Sequence, residues 1–417
     1  MFGRRLLVRF RDVCHQERAL SMLRRALAAG RAHHAYLFDG PAGVGKELAA
    51  RALTARLLCE TPGRTDETPG LFGGAESAAD AGPGAAEDEC EPCGRCVSCR
   101  LLIADTHPDF HLIHRGLRKL HPDRAIRESK GLFIVVELIR HFLIQHTTTR
   151  PSVARARVFL MRDAERMNEG AQNALLKTLE EPPPDTYLIL VTASASRLLP
   201  TIRSRCQLVP FDLLPAAFVQ EQLVSQGALE PVAARTLARL SGGRLGAALH
   251  WHQIGLLAAA DDVCETLSGL SGRDPEGFAK GLNEIANPLA AAAIECADEE
   301  DPPELEPEPA GKRKRPKAAP KTIPTDEARA ALKLVLMLIG TSYRDALLLQ
   351  NEAGRELLTF ERPHAIVERL AKGLPADRLD DGIRAVAAAE QMLDRNVAPQ
   401  SACERLAVAL LGEAAPA

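Results

Sequence analysis

The chain has 417 residues, 52 Lys plus Arg against 55 Asp plus Glu, and a formal net charge of −3, with 46% hydrophobic but only 4% aromatic residues. A near-neutral chain does not coat nucleic acid by bulk charge, so any DNA contact must be local. The composition excludes disorder throughout and favours Leu- and Ala-rich helices over a β-sandwich, with length for two to four domains of roughly 100–200 residues. No run approaches the roughly 18 apolar residues of a membrane span, and the apolar part of MFGRRLLVRFRD is too short for a secretory signal, so a cytoplasmic chain is expected.

In chain order, Ala35 to Asp39 is a short continuous apolar run, as are Val158 to Met161 and Tyr187 to Thr192. Such runs between helical stretches predict buried strands of a parallel sheet. Residues 171–181 place Leu175 and Leu179 four apart and stop at Pro182-Pro183-Pro184, which predicts a helix. The first half is therefore expected to be an α/β P-loop domain, a parallel sheet with flanking helices.

Gly40-Pro41-Ala42-Gly43-Val44-Gly45-Lys46-Glu47 follows the first strand and opens a helix. In that context GxxxxGK is a phosphate loop: glycines let backbone amides curl around phosphate oxygens, the helix N-terminus adds positive potential, and Lys46 reaches the β/γ region. The bland alternative is a glycine-rich turn without a ligand. The position after Lys46 ordinarily carries a Ser or Thr hydroxyl for Mg²⁺. Here it is Glu47, a longer and charged group beside the phosphates, so Mg²⁺ is poorly served.

Residues 60–92 contain six Gly and four Pro among scattered acids, which predicts a disordered surface insertion. At its end Cys90, Cys93, Cys96 and Cys99 stand at successive x₂ spacings, the pattern of a structural tetrahedral Zn²⁺ site. An iron–sulfur run requires C-x₃-C-P at the end, whereas Arg100-Leu101 follow Cys99. Cys14, Cys206, Cys264, Cys296 and Cys403 are isolated and read as packed residues. His33 and His34, before the first strand, and His107 and His111, flanking a further strand, read as structural.

Together, HHAYLFDGPAGVGK at 33–46, THPDF at 106–110, NALLKTLEEPP at 173–183 and SRC at 204–206 resemble the bacterial clamp-loader branch of the AAA+ ATPases. The resemblance covers about residues 1–250 with specific motifs and is architectural beyond. It implies an AAA+ domain over 1–212, a helical lid over 213–250 and an all-helical collar over 251–417 that oligomerises. In active members an Asp-Glu pair lies eleven and ten residues before NALLKTLEEPP, where this chain has Arg162 and Asp163. A cation thus replaces an ion ligand, and the base is one methylene short. Thr192 is a candidate for the γ-phosphate sensor at a strand end, and equally a structural residue. The lid's sensor arginine aligns with Gly246, two residues from Arg244.

The family uses the arginine of SRC, here Arg205, in trans on a neighbour's γ-phosphate; for an arbitrary arginine the reading would be a surface salt bridge. Arg205 follows the segment 196–202, expected as a strand end, and Arg203 is a secondary candidate. The family's zinc ligands correspond to Cys59, Cys93, Cys96 and Cys99, with Cys90 competing against Cys59. The resemblance implies a stator subunit without hydrolysis of its own, weak or absent ATP binding, gamma/tau-type ATPases and a delta subunit as partners, and the sliding clamp and primed DNA reached through the complex. Rival readings are an active AAA+ ATPase and a zinc-dependent nucleic-acid module with a relic P-loop.

Beyond Asp212, Phe218, Val219, Leu223, Leu237 and Leu240 recur at helical spacing. So do Leu332, Leu336, Ile339 and Tyr343, and then Ile383, Val386 and Leu393, which makes the last two-fifths all-helical. Between them, seven acids in 298–308 precede the basic GKRKRPK at 311–317, read as a solvated linker over 298–325 rather than a DNA contact.

Overall fold

The computed structural model describes residues 7–63, 90–129, 133–147, 149–227, 229–268, 274–300, 325–360 and 365–411. Most of the 60–92 insertion and of the 298–325 linker, with the basic tract, lies outside the described residues. The described ends of the insertion are ordered: the Gly63 amide donates to the Glu91 carbonyl (3.0 Å), and Cys90 and Glu91 are buried. Asp298 to Glu300 still belong to a helix. The chain divides into two compact units, meeting in sequence at Pro215 and Ala216.

In the first unit, four successive buried side chains from Ala35 to Phe38 require a strand covered on both faces, and they form β1 (Ala35–Asp39). With β2 (Phe110–Ile113), β3 (Arg157–Met161), β4 (Thr186–Thr192) and β5 (Gln207–Pro210) it builds a parallel sheet of order β2-β3-β4-β1-β5. Leu37 pairs with Leu190 on one side and Leu208 on the other. Helices α1 (Glu17–Ala28), α2 (Lys46–Leu58), α3 (Val97–Ile103), α4 (Glu169–Glu180) and α5 (Pro200–Arg203) accompany it. Alanines 49, 50, 52 and 55 with Leu53 and Leu58 are all buried in α2, which lets its backbone lie close to the strands.

Two expectations change. Residues 196–202 are not a strand end: a 3₁₀ turn at Ala195–Arg197 leads into α5, whose first position is Pro200, a residue preset for a helix start. The strand expected between His107 and His111 begins at Phe110, so His111 lies within it, stacked on Phe159 (4.9 Å between ring centres). Burial pushes the His111 imidazole down to about 4, which keeps it neutral and structural. β5 escaped the sequence reading because it is a four-residue edge strand whose Leu208 faces outward.

THPDF is a structural clamp. Asp109 is fully buried, and its carboxylate accepts from the amides of Ser152 (2.6 Å), Val153 (2.8 Å) and Ala154 (2.9 Å), with Arg157 Nη2 at 3.6 Å. Burial raises its pKa, but the three amides and His107 outweigh burial and hold it below the usual carboxylate range. Replacing Asp109 by Ala strands the buried Arg157 charge and is expected to cost about 3–5 kcal/mol of stability, read from the urea midpoint. A loss under about 1 kcal/mol would remove the clamp role.

The second unit is helical throughout its described residues: α6 (Ala216–Gly227), α7 (Pro231–Ser241), α8 (Leu245–Gln253), α9 (Leu256–Ser268), α10 (Pro275–Glu300), α11 (Thr325–Gln350), α12 (Ala365–Gly373), α13 (Ala376–Asp394) and α14 (Pro399–Leu411). Val335, Leu336, Ile339 and Tyr343 form the buried stripe of α11. Gly382 of α13 lies against Tyr343, where a Cβ would fall 2.4 Å from the ring. No described helix is long and apolar enough to cross a membrane.

Candidate functional site: a phosphate loop and a four-cysteine centre

Because all strands run parallel, the C-terminal ends of β1, β3 and β4 share one edge of the sheet, where open α/β sheets bind ligands. The loop from Gly40 to Gly45 leaves β1 there and delivers Lys46 to the first turn of α2. Gly40 is obligatory: a Cβ would stand 2.3 Å from the Phe211 carbonyl, because the chain beyond β5 passes against it. Gly43 (φ 80°) and Gly45 (φ 98°) occupy the left-handed region, where L side chains are strained. Buried Gln16 braces the loop, donating to the carbonyls of Val44 (3.2 Å) and Asp212 (2.8 Å) and accepting from the Asp212 amide (3.1 Å). No spacing announces Gln16, since its partners lie 28 and 196 residues away.

The Lys46 ammonium is buried and donates to the Gly40 and Pro41 carbonyls. Burial lowers its pKa, and the carboxylates of Glu165, Asp39 and Asp163 only partly offset that. Thr192, buried at the end of β4, donates its hydroxyl to Glu165 (2.8 Å) and accepts from the Ser194 amide (3.1 Å). Its hydroxyl is thus committed to Glu165, a residue the sequence reading did not single out.

The two departures from the loop pattern meet. Arg162 Nη2 at the end of β3 donates to Glu47 Oε1 at 2.5 Å, and Arg51 Nε donates to the same oxygen at 3.0 Å. Burial raises the Glu47 pKa, but Arg162 and then Arg51 outweigh it and hold the carboxylate ionised. Mg²⁺ needs hard oxygen donors in near-octahedral array. Of the two positions that ordinarily hold the ion, one carries a guanidinium and the other a carboxylate already shared by two arginines. Neither offers Mg²⁺ a free ligand oxygen in the usual place. Asp163 is exposed and left-handed (φ 49°), with a carboxylate oxygen 3.9 Å from Arg166.

Arg205 follows α5. Neighbouring Cys206 is buried, and burial pushes its thiol up to about 12, so it serves as an apolar anchor while Arg205 stays partly exposed. The guanidinium pairs with Glu180 at 2.7 Å and donates to the Thr201 carbonyl at 3.2 Å. Buried Gln172 fixes the approach to α5, donating to the Met167 carbonyl (3.1 Å) and accepting from the Leu199 amide (2.8 Å). Arg203 is exposed.

The sulfurs of Cys59, Cys93, Cys96 and Cys99 lie within 4.8 Å of one another. Cys59 to Cys96 and Cys93 to Cys99 are both 4.0 Å, near the edge of about 3.8 Å expected for a tetrahedron with Zn–S of about 2.3 Å. The amides of Cys93, Cys96 and Cys99 donate to the sulfurs of Cys59 (3.3 Å), Cys93 (3.4 Å) and Cys96 (3.4 Å), bonds that stabilise thiolates. Cys90 is excluded by position: its thiol donates to the Arg24 carbonyl at 3.6 Å, and Glu91 beside it accepts from the Phe10 and Arg11 amides. This donor set fits a zinc ion, which Cys59, Cys93, Cys96 and Cys99 would hold.

In the second unit Arg244 is engaged locally, donating to the Ser241 carbonyl (2.7 Å) with its guanidinium 5.4 Å from the Trp251 ring centre. Gly246 lies in the first turn of α8.

A glycine-rich loop after the first strand, on a sheet of order β2-β3-β4-β1-β5, defines a P-loop domain of the AAA+ type. Residues 15–70 and 75–215 match the family described as DNA polymerase III, delta subunit. The chain is 36% identical over 244 residues to the DNA polymerase III subunit delta' of Pseudomonas aeruginosa, covering 58% of this chain and 63% of that one. It is 32% identical over 242 residues to the Escherichia coli subunit delta' (58% and 60% covered) and 33% identical over 245 residues to the E. coli subunit tau (58% and 32%). The chain thus spans about six-tenths of the length of the delta' relatives. Over that part it resembles the delta' and tau subunits of DNA polymerase III.

Proposed function

We propose that this chain is the delta-prime-type stator of a DNA polymerase III clamp loader, working in the cytoplasm on DNA replication. It does not hydrolyse ATP in its own loop. It presents Arg205 to the nucleotide of a neighbouring gamma/tau-type ATPase and, with a delta subunit, helps load the sliding clamp on primed DNA. Residues 213–250 act as the lid, and the helices over 251–417 serve as the collar that joins the partners. Zn²⁺ on Cys59, Cys93, Cys96 and Cys99 is structural, because four thiolates leave no open position for a catalytic water.

The observation that carries this reading is the Glu47–Arg162 ion pair, which lies where hydrolysis needs a metal. Arg205 supports it independently: a guanidinium stays charged and forks onto phosphate oxygens, and this one is partly exposed beside a buried anchor. Identity to a tau subunit favours one other reading, a motor ATPase in which Glu47 and Asp163 substitute. Steady-state hydrolysis by the isolated chain with Mg²⁺ separates the two. Turnover indistinguishable from buffer is expected, and multiple turnovers abolished by Lys46→Ala would establish the motor.

A further inference from the structure

Residues 47 and 162 lie 115 apart in sequence, and each departs from the phosphate-loop pattern. Were both merely lost, nothing would require their charges to be opposite or their side chains to touch. Instead a carboxylate replaces the hydroxyl, a guanidinium replaces the carboxylate, and the two meet at 2.5 Å with Arg51 on the same oxygen. The charges of Glu47 and Arg162 cancel, and Arg51 on the same oxygen leaves the three groups with one net positive charge facing the loop without any ion.

We infer that Arg162, oriented by Glu47 and backed by Arg51, replaces the divalent ion, so that the loop takes the polyphosphate of a nucleoside di- or triphosphate without a metal. This rests on the reading of the loop as one that cannot hydrolyse. Only Nη2 of Arg162 is occupied by Glu47, the side chain is 32% exposed, and its buried Nε has no hydrogen-bond partner among the described residues. A guanidinium has five donors in a planar fork, so one edge can hold Glu47 while the other meets phosphate oxygens. Lys46, which now donates to two carbonyls of its own loop, supplies the second cation once phosphate displaces them. Unlike a hydrated ion, this cation is covalently part of the sheet. It holds phosphate but cannot activate a water molecule.

The test is calorimetric titration of the full chain with ADP and with ATP, in EDTA and then in excess Mg²⁺. Binding is expected in EDTA and is expected to weaken with Mg²⁺, because the ion competes for the phosphates. Arg162→Met should weaken binding in EDTA by about tenfold or more, the worth of charged hydrogen bonds, and Lys46→Ala should abolish it. Glu47→Thr combined with Arg162→Asp should reverse the metal dependence, so that Mg²⁺ strengthens binding. Nucleotide binding by the unmodified chain that requires Mg²⁺ overturns the inference, and so does failure to bind in either condition. Neither result touches the role of Arg205, which is read on a neighbour's nucleotide.

Discussion

Replacing Arg205 by Ala in the reconstituted complex is expected to slow DNA-stimulated hydrolysis at the site it serves by about 10³-fold, at the lower end of the range for trans-acting arginines. The magnitude follows from where the charge acts. Phosphoryl transfer spreads negative charge over the equatorial oxygens, and a guanidinium delivered from outside neutralises it only in the transition state. The effect is cleanest when the other ATPase sites of the complex are silenced, since unaffected sites would otherwise carry the signal. Glu180→Gln removes the 2.7 Å ion pair and keeps the guanidinium, so turnover should change by less than about tenfold, in keeping with an exposed pair. Arg203→Ala is expected to leave it unchanged. Full turnover by the Arg205→Ala complex, with assembly intact on gel filtration, would withdraw the role.

Changing Cys96 and Cys99 together to Ser is expected to abolish zinc binding, which elemental analysis of the purified chain reads directly. Structural zinc contributes on the order of 10 kcal/mol in small modules. Even a fraction of that lowers Tm by about 10 °C or more in a unit of this size. Loss of amide protection should concentrate in Cys59 to Gly63 and Cys90 to Ile103, which the four sulfurs tie together. Cys90→Ser separates the geometric assignment from the spacing pattern: its thiol faces the Arg24 carbonyl, so zinc content should stay at one equivalent. Zinc lost with Cys90 and retained without Cys96 and Cys99 would reverse the assignment.

The pairing of Arg205 with Glu180 also clarifies the apparent conflict between its two readings. A surface salt bridge and a trans-acting arginine are compatible here, because the pair is exposed and therefore weak, and a triphosphate outcompetes one carboxylate. The buried members of the same stretch, Gln172 and Cys206, hold the backbone that carries the arginine.

Much of the site was legible because its chemistry is local. The glycines of the phosphate loop, Lys46, the buried run of β1, the C-x₂-C steps and the helical stripes of the second unit depend on neighbours within a turn or a strand. The sequence by itself thus determined the α/β-then-helical order, a glycine-rich loop placed between the first strand and a helix, a cluster of closely spaced cysteines, and a carboxylate where a hydroxyl would follow Lys46. What only the tertiary structure decided was which distant groups meet. The parallel order β2-β3-β4-β1-β5 brings the ends of β1, β3 and β4 to one edge, and so joins Glu47 to Arg162, Thr192 to Glu165 and Gln16 to Val44. The same holds for Cys59, which the spacing of the other cysteines cannot select over Cys90. Residue periodicity records which face of an element is buried, whereas a contact between elements depends on how strands are ordered in space, and that is settled by the packing of the whole sheet.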